Sequence, residues 1–377
     1  MAEIDDTLPN ETITDEAFVE QEVTVPNEEM EESSEGVEVT MDEEGGAQID
    51  FDPKAEGLES QDHFSNLAEI MEDKYLGELG STLFDQYTEY KESRADWENT
   101  YREGLELLGF KYERRTEPFR GASGVNHPVL AEAVTQFQAQ AYKELLPADG
   151  PVRAQILGDI SNEKQDQANR VKDFMNYQIM DQMPEYEPEF DQMLFYLPLS
   201  GSTFKKIYYD DLLGRAVSKF VPADDLIVPY SANSLEDAEA IVHVIRMSEN
   251  EIRKQQVSGF YKDVEVGNPP VTSNELKDTE LKLEGITKNS NQDQFNLLEM
   301  HVDLDLEGFE DMGQDGEPTG IKLPYIVTIL ESTNEILSIR RNYTEDDPLK
   351  EKIKYFVQFK FLPGTGFYGF GLIHMIG

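Results

Sequence analysis

The acidic segment Asp303 to Gly308, which reads DLDLEG, comes nearest in this chain to the spacing of a metal site. Carboxylates at alternate positions followed by a glycine match the first half of a calcium-binding EF-hand loop, in which oxygen ligands surround the ion. Such a loop needs a bidentate glutamate at its twelfth position, and that residue here is Gln314. The leucines between the carboxylates indicate a β-strand instead. We therefore predict no metal site here.

The other residue types that carry catalysis do not form a recognisable motif. A P-loop needs Lys and Ser or Thr after its glycine turn, and the turn at Gly121 and Gly124 is followed by neither. The sequence has no Cys and no G-x-S-x-G motif, and its five histidines include no pair at helical metal-ligand spacing. The sequence thus predicts a protein that is not an enzyme, with no catalytic residue, bound metal or cofactor. The histidines are His63, His127, His243, His301 and His374.

The densest run of structural signals lies in residues 119–158. Asn126 or His127 can cap a helix after the glycine turn, and Pro128 suits the first helical turn. The helix is predicted to start at about Pro128 and to stop at Pro147, and its apolar residues form a stripe that must be buried. A half-buried strand is predicted to follow at residues 152–156. The stripe comprises Val129, Leu130, Ala133, Val134, Phe137, Ala141 and Leu145.

Further helices are predicted on both sides of this stretch. Upstream, a helix that begins near His63 is interrupted at Gly77 and Gly80, and a second, long helix covers residues 81–109. Downstream, residues 161–180 form a helix, and a short apolar helix follows Pro188. The helix at 161–180 is predicted to turn one apolar face inward. That face comprises Ala168, Val171, Met175 and Ile179.

The second half of the chain is predicted to be rich in β-structure, because its apolar residues alternate with polar ones. Residues 204–209 and 216–221 form a predicted hairpin with Gly214 near its tip. Residues 298–307 form a predicted strand with one buried face, which leaves Glu299 and His301 on the opposite, polar face. The predicted fold class is therefore α+β, with a helical N-terminal half and a β-rich second half. Other strands are predicted at residues 226–229, 240–247, 321–330, 335–343 and 353–362.

The N-terminal segment differs sharply in composition from the rest of the chain. The formal net charge is -45, and the first 60 residues hold 21 Asp and Glu against one basic residue, Lys54. A segment with so many like charges and few aromatic residues buries too little apolar area to offset its chain entropy. We predict a disordered acidic tail at residues 1–61.

The same composition restricts the partners. Stable binding to duplex DNA needs clustered Lys and Arg, so an acidic chain is not expected to hold DNA. The first residues are rich in carboxylates and the sequence has no apolar run of ~18 residues, so we predict no signal peptide and no membrane partner. The lack of Cys fits a reducing compartment.

Four passages resemble the portal proteins of tailed bacteriophages, particularly those of large short-tailed phages. They are FRGASGVNHPVLAEAVTQFQAQAYKELLPADGPVRAQILG, GSTFKKIYYDDLLGRAVSKFVPADDLIVPY, EAIVHVIRMSENEIRKQQVSGFY and FLPGTGFYGFGLIHMIG. The resemblance recurs from about residue 86 to residue 377 and omits the acidic tail. It implies a structural virion protein that forms a ring, with twelve subunits in this family, at one vertex of the head.

The resemblance also implies an arrangement and a set of partners. Residues 62–363 would form an α+β wing-like domain, and residues 364–377 would begin a stem helix that continues in a longer natural chain. The partners would be the terminase motor, the capsid protein and a tail or adaptor protein. DNA would pass through the channel without sequence-specific binding. The ring would be assembled in the host cytoplasm and kept in the virion.

Arg120 and His127, beside the glycine turn, are the candidate residues for subunit contacts in such a ring, with capping inside the chain as the simpler interpretation. Two alternatives to the portal function remain open. The first is another virion or scaffold-like interaction protein, in which the acidic tail binds a basic partner without a ring. The second is a divalent-metal-dependent hydrolase that uses the segment at Asp303.

Overall fold

The computed structural model divides the chain into two units, Met1–Asp62 and His63–Gly377. In the first unit, β1 (Glu38–Met41) pairs with β2 (Ala47–Asp50) as an antiparallel hairpin that the composition did not predict. The rest of the predicted disordered tail lies outside the described residues. The residues described are 38–41, 47–50, 63–108, 119, 127–159, 161–210, 213–267, 275–283, 285, 294–313 and 317–376.

The second unit begins with two consecutive helices, α1 (Asp73–Ser93) and α2 (Ala95–Glu106). The predicted interruption at Gly77 and Gly80 is wrong, because α1 continues through both residues. At Gly80 the absence of a Cβ lets the helix lie against the backbone oxygen of Asn334, where any larger residue would clash. A contact across the fold therefore explains a glycine that looks like a helix breaker in the sequence.

The predicted single long helix is also wrong, because the backbone leaves the helical conformation at Arg94, between α1 and α2. The Arg94 side chain is only 6% exposed. Its guanidinium donates to the carbonyl oxygens of Ala223, Asp224 and Leu226, each within 2.9 Å, and to the hydroxyl of Tyr368. The break in the helix thus lies at an arginine that joins the end of α1 to residues 223–226 and to Tyr368.

Three helices follow, namely α3 (Val129–Leu145), α4 (Asn162–Tyr177) and α5 (Tyr186–Ser200). The start of α3 immediately after Pro128 confirms the predicted position. Helix α5 ends at Gly201, where the φ of 86° favours glycine. Apolar side chains of α3 and α5 pack together in one cluster.

The stripe of α3 is buried only in part, so the prediction of burial along its whole length is wrong. Leu130 and Val134 are buried in the core. Val129 and Leu145, at the two ends of the helix, are both 53% exposed. The described part of the chain therefore leaves apolar side chains of α3 open to solvent.

The predicted strand at residues 152–156 is wrong, because this segment is irregular and pairs with no strand. The side chain of Asn176 instead accepts a hydrogen bond from the Val152 N–H and donates to the Val152 carbonyl oxygen. One amide thus replaces the two backbone bonds that a neighbouring strand would make.

The β-structure described in the second unit consists of two antiparallel sheets, ordered β10-β3-β4 and β5-β6-β7-β8-β9, and confirms the α+β fold class. The strands are β3 (Ser202–Asp210), β4 (Arg215–Pro222), β5 (Leu226–Ile227), β6 (Ala240–Ser248), β7 (Gln294–Leu304), β8 (Leu323–Leu330), β9 (Glu335–Arg341) and β10 (Phe356–Lys360). The remaining helices are α6 (Glu249–Val257), α7 (Glu275–Leu283) and α8 (Leu372–Ile376).

Helix α1 covers one face of the five-stranded sheet. Leu83 and Tyr87 of this helix belong to one buried cluster with Met300, Val327 and Ile339 of the sheet. These strand residues are the apolar face that alternation in the sequence predicted. The predicted burial of one face of β7 is thus confirmed, and the burial is against α1.

The opposite face of β7 is buried as well, so the expectation of an outer, polar face at this strand is wrong for its central residues. His301 is 8% exposed, and Glu299 contacts Lys206 of β3. The three-stranded sheet covers this part of the five-stranded one. Alternation in a sequence does not show whether a second sheet lies above the polar side chains.

The edge strand β9 is bordered by the segment that precedes α1, which contains a 3₁₀ turn at Leu67–Glu69. The side chain of Asn66 donates to the Leu337 carbonyl oxygen and accepts from the Ile339 N–H, at 3.1 and 3.0 Å. It also accepts from the N–H of Ala68. One asparagine thus caps the turn and bonds two residues of the edge strand.

Glycines allow the C-terminal segment to lie directly on the start of β3. The backbone of Gly371 lies so close to the Leu199 oxygen that a Cβ would clash with it. Gly369 donates its N–H to the Ser202 hydroxyl at 2.7 Å. Helix α8 then places Ile373 against Gly104 of α2. Residues 364–376 therefore belong to the same unit as the rest of the α+β fold.

Candidate functional site

Helix α4 carries an apolar face that the described part of the chain does not cover. None of the residues of α4 is buried. Val171, Phe174 and Met175, which we call the α4 apolar face, are 48%, 59% and 42% exposed. The prediction that Ala168, Val171, Met175 and Ile179 turn inward is therefore wrong for Val171 and Met175. The helix forms because Ser161 caps its N-terminus and its residues suit a helix. Among the residues that the structure describes, none buries its apolar side.

Hydrogen bonds of Asn176 hold α4 in place near its C-terminal end. Besides its bonds to Val152, the Asn176 amide donates to the Asp149 carbonyl oxygen at 3.3 Å. Gly150 has a φ of 90°, and a Cβ there would clash with the Asn176 side chain. This close contact orients the helix from one end and leaves the α4 apolar face available to another molecule.

Of the two predicted contact residues, His127 alone lies among the described residues. His127 is exposed just before α3, and its carbonyl oxygen accepts a hydrogen bond from the Val129 N–H at 2.9 Å. It does not supply a side-chain cap for α3, since Pro128 occupies the cap position without such a bond. Arg120 lies outside the described residues, as does the glycine turn beside it. The helical spacing of Val171 and Met175 indicated an apolar face on this helix, but it did not indicate that the face is exposed.

A buried ionic cluster joins the two sheets, and we call Lys206, His243, Glu299 and His301 the Glu299 cluster. The Lys206 Nζ lies 2.6 Å from both carboxylate oxygens of Glu299. The His301 Nε2 is 3.0 Å from Glu299 Oε1, while the His243 Nδ1 is 3.8 Å away and too far for a hydrogen bond. The cluster therefore ties β3 of one sheet to β6 and β7 of the other.

The protonation states in the Glu299 cluster follow from its charges. Burial opposes ionisation of Glu299, but the Lys206 ammonium and the two histidines outweigh it and hold the pKa of the carboxyl well below its usual range. Burial lowers the pKa of His301, and the nearby Lys206 charge lowers it further against the attraction of Glu299. An ionised carboxylate only accepts hydrogen bonds, so neutral His301 donates from Nε2 and keeps Nδ1 as its acceptor.

A cavity of about 390 Å³ lies beside this cluster, between the sheets. His301 and Ile241 of the five-stranded sheet line it together with Phe356 of β10. Asn342 also lines it and is 2% exposed, and its Oδ1 has no hydrogen-bond partner among the described residues. A buried amide oxygen without a partner is unusual, because leaving it unpaired costs free energy.

A second buried group of carboxylates lies next to the Arg94 junction. Asp225 is paired with Arg246 at 2.6 Å, and Glu280 with Lys277 at 2.8 Å. Asp224 Oδ2 has no hydrogen-bond partner among the residues described. Burial, followed by the charges of Asp225 and Glu280, raises the pKa of Asp224 to about 8. This carboxyl group therefore holds its proton at neutral pH, and its position suits a structural role.

The segment that resembles half of an EF-hand lies at the outer end of β7. Asp303, Asp305 and Glu307 are all exposed. Within the described ranges, no group of three or more His, Asp or Glu side chains is placed to hold a metal ion. Across those same ranges, no helix combines the length and apolar character that crossing a membrane demands.

Comparison with known proteins does not identify relatives. No protein-family model matches the chain, and no curated protein matches it.

Proposed function

We propose that this chain is a subunit of a bacteriophage portal ring, the structure at one vertex of the head through which DNA is packaged and ejected. The α4 apolar face is the observation that carries the proposal, because three large apolar side chains on one helix have no cover within the described chain. Exposed apolar patches of this kind mark contacts with other proteins. In a ring, the cover would be an adjacent copy of this chain.

Parts of the passages that resemble portal proteins form helices and strands of the described fold. They include α3, the hairpin of β3 and β4, the turn from β6 into α6, and the glycine segment that ends in α8. The proposal assigns residues 62–363 to a wing-like domain and residues 364–377 to the start of a stem. The ring would hold about twelve subunits by this resemblance, and the subunit itself would perform no catalysis.

The charge of the chain supports a conduit for DNA. A net charge of -45 gives little phosphate attraction, so DNA would slide past such a surface and would not be held by it. The terminase motor, the capsid protein and a tail or adaptor protein would dock on the ring during assembly in the host cytoplasm and in the virion. Cations should promote ring closure, because they screen the repulsion between acidic subunits.

The proposal is tested by electron microscopy of the natural full-length protein at low and high magnesium concentration. Closed rings with a central channel, more frequent at high magnesium, are expected. The variant Phe174→Glu should reduce the ring fraction at least tenfold, because it places a charge on the α4 apolar face. Asn169→Glu adds the same charge to an exposed position on the other side of α4 and should leave the rings intact.

Two results would contradict the proposal. Monomers at every ionic condition would favour the interaction protein without a ring, in which the acidic tail binds a basic partner. Equal effects of Phe174→Glu and Asn169→Glu would show that the α4 apolar face is not a subunit contact. Circular dichroism of both variants must match that of the unaltered protein, so that loss of rings is not loss of fold.

A further inference from the structure

The cavity between the two sheets has the features of a small-molecule site. Its volume of about 390 Å³ falls within the range of roughly 300 to 1,000 Å³ that ligand pockets occupy. Its lining residues come from both sheets and from the loop at Ser234, Leu235 and Glu236. A ligand here would touch parts of the chain more than a hundred residues apart.

The walls of the cavity favour an aromatic body. Tyr355, Phe356 and Ile353 line it, together with Ile241. The His301 ring already meets the Tyr355 and Phe356 rings edge-on, at centroid distances of 5.6 and 5.2 Å. Aromatic rings prefer such edge-to-face contacts, so a further ring fits this wall better than a flexible polar chain does.

The polar groups of the cavity favour a ligand that donates a hydrogen bond. Neutral His301 donates from Nε2 to Glu299 and therefore presents Nδ1 as an acceptor. The Asn342 Oδ1, which has no partner among the described residues, is a second acceptor. The terminal torsion of asparagine is broad, so its amide can turn toward a donor in the cavity. These two acceptors match a ligand with one N–H or O–H group.

The charges around the cavity exclude charged ligands of either sign. Lys352, Lys354 and Glu236 line it, and the positive charge of Lys352 disfavours a cation. Lys354 is paired with Glu236 at 2.6 Å, and Lys352 donates to the Ala238 carbonyl oxygen, so neither is held ready for an anion. The acceptors of His301 and Asn342 would also repel an anionic group. A neutral ligand remains.

We infer that the cavity between the sheets binds a neutral aromatic molecule of phenol to indole size that carries one N–H or O–H donor. The donor bonds to Asn342 or His301, and the ring packs against Tyr355 and Phe356. The same chemistry occurs in a free metabolite and in the tryptophan or tyrosine side chain of a peptide. This site is independent of the α4 apolar face and of the proposed ring.

The inference is tested by ligand-observed NMR titration of the full chain with indole and with 1-methylindole, which has the same ring without the donor. Indole should bind saturably, with a dissociation constant on the order of millimolar for so small a ligand. 1-Methylindole should bind about three to ten times more weakly, because it leaves the acceptors unpaired. Benzoate and benzylammonium, which carry opposite charges, should not bind measurably.

Two variants locate the binding. Ile353→Trp fills the cavity and should abolish indole binding, while Ile321→Trp makes the same change at an exposed isoleucine outside the cavity and should not. N-acetyltryptophanamide identifies the source of the natural ligand. Tighter binding than indole indicates a protein side chain, and weaker binding indicates a free molecule.

The inference is overturned if indole and 1-methylindole bind equally, if neither saturates, or if Ile353→Trp binds indole as the unaltered protein does. Thermal unfolding of the two tryptophan variants serves as the control for folding. If Ile353→Trp does not fold, the comparison of indole with 1-methylindole on the unaltered chain still decides the question.

Discussion

Lys206 and Glu299 lie in different sheets and form a bidentate ion pair, with both Nζ–oxygen distances at 2.6 Å. Both side chains are about 15% exposed or less. A pair buried in this way gains little over apolar packing, but removing one partner leaves an uncompensated charge. The pair therefore fixes how β3 sits over β7, because other arrangements would separate the charges in an apolar interior.

We expect Lys206→Met to lower the free energy of unfolding by about 3–5 kcal/mol, since it leaves the Glu299 carboxylate buried without its cation. The double variant Lys206→Met with Glu299→Leu should recover part of that loss, because both charges are then gone. Urea denaturation of the two variants measures the difference. A double variant less stable than the single one would contradict this account of the pair.

The stability of the fold should decrease as the pH falls below the usual histidine pKa of 6.5. Burial and the Lys206 charge lower the pKa of His301 in the folded state. The unfolded chain therefore takes up this proton first, so stability present above pH 6.5 is lost as the pH falls toward the folded value. The pKa of His374 is lowered by burial as well and acts in the same direction.

His301→Gln should flatten this decrease by up to about 1.4 kcal/mol per pH unit, the slope that one linked proton gives. Urea midpoints measured between pH 6.5 and 5 provide the test. The decrease below the usual Glu pKa of 4.5 belongs to groups such as Glu299, whose pKa is lowered on folding, and should persist. An unchanged profile between pH 6.5 and 5 would exclude His301 as the source.

Asp224→Asn should stabilise the protein more at pH 8 than at pH 5. The pKa of Asp224 is raised from 3.8 to about 8 in the folded state, so the folded chain keeps a proton that the unfolded chain releases. The free energy of unfolding therefore falls as the pH rises between these values. Asparagine does not ionise, so the variant does not show this loss. A relative gain of about 1–3 kcal/mol at pH 8, from urea unfolding at the two pH values, is expected. A gain independent of pH would contradict it.

Gly371→Ala should destabilise the fold by about 2–4 kcal/mol, because its Cβ would clash with the backbone of Leu199 and Gly201. Gly366→Ala is the matched control in the same segment, since its Cβ would meet no atom within 4 Å. Its effect should stay within about 0.5 kcal/mol. Thermal unfolding distinguishes the two, and equal effects would mean that the segment does not lie on β3 as described.

Local sequence patterns were enough to predict the helix ends and turns that depend only on neighbouring residues. The capping box of Ser248 and Glu251 begins α6, and Gly214 lies in the turn between β3 and β4, where a hairpin tip was predicted. The α+β class follows because the apolar residues change near Ser202 from helical spacing to alternation with polar residues. In these places the residues that decide the structure are close in sequence.

Contacts between distant residues decided the rest. The break at Arg94 depends on carbonyl groups of residues 223–226, which no helical pattern contains. Glu299 is buried because Lys206 of another sheet pairs with it. The alternation of polar and apolar residues in β7 could not show this, and it predicted that the side chain is exposed. The α4 apolar face was found by its spacing, but the spacing could not say whether its cover belongs to this chain or to another.

Asn66 has a consequence for the behaviour of the protein at high concentration. An open edge strand is a template on which strands of other chains can add, and this addition leads to aggregation. The Asn66 amide occupies the N–H of Ile339 and the carbonyl oxygen of Leu337 on the outer side of β9. At high concentration, another copy of the chain cannot pair its backbone with these two groups of β9. Copies that associate at this edge must therefore do so through side chains.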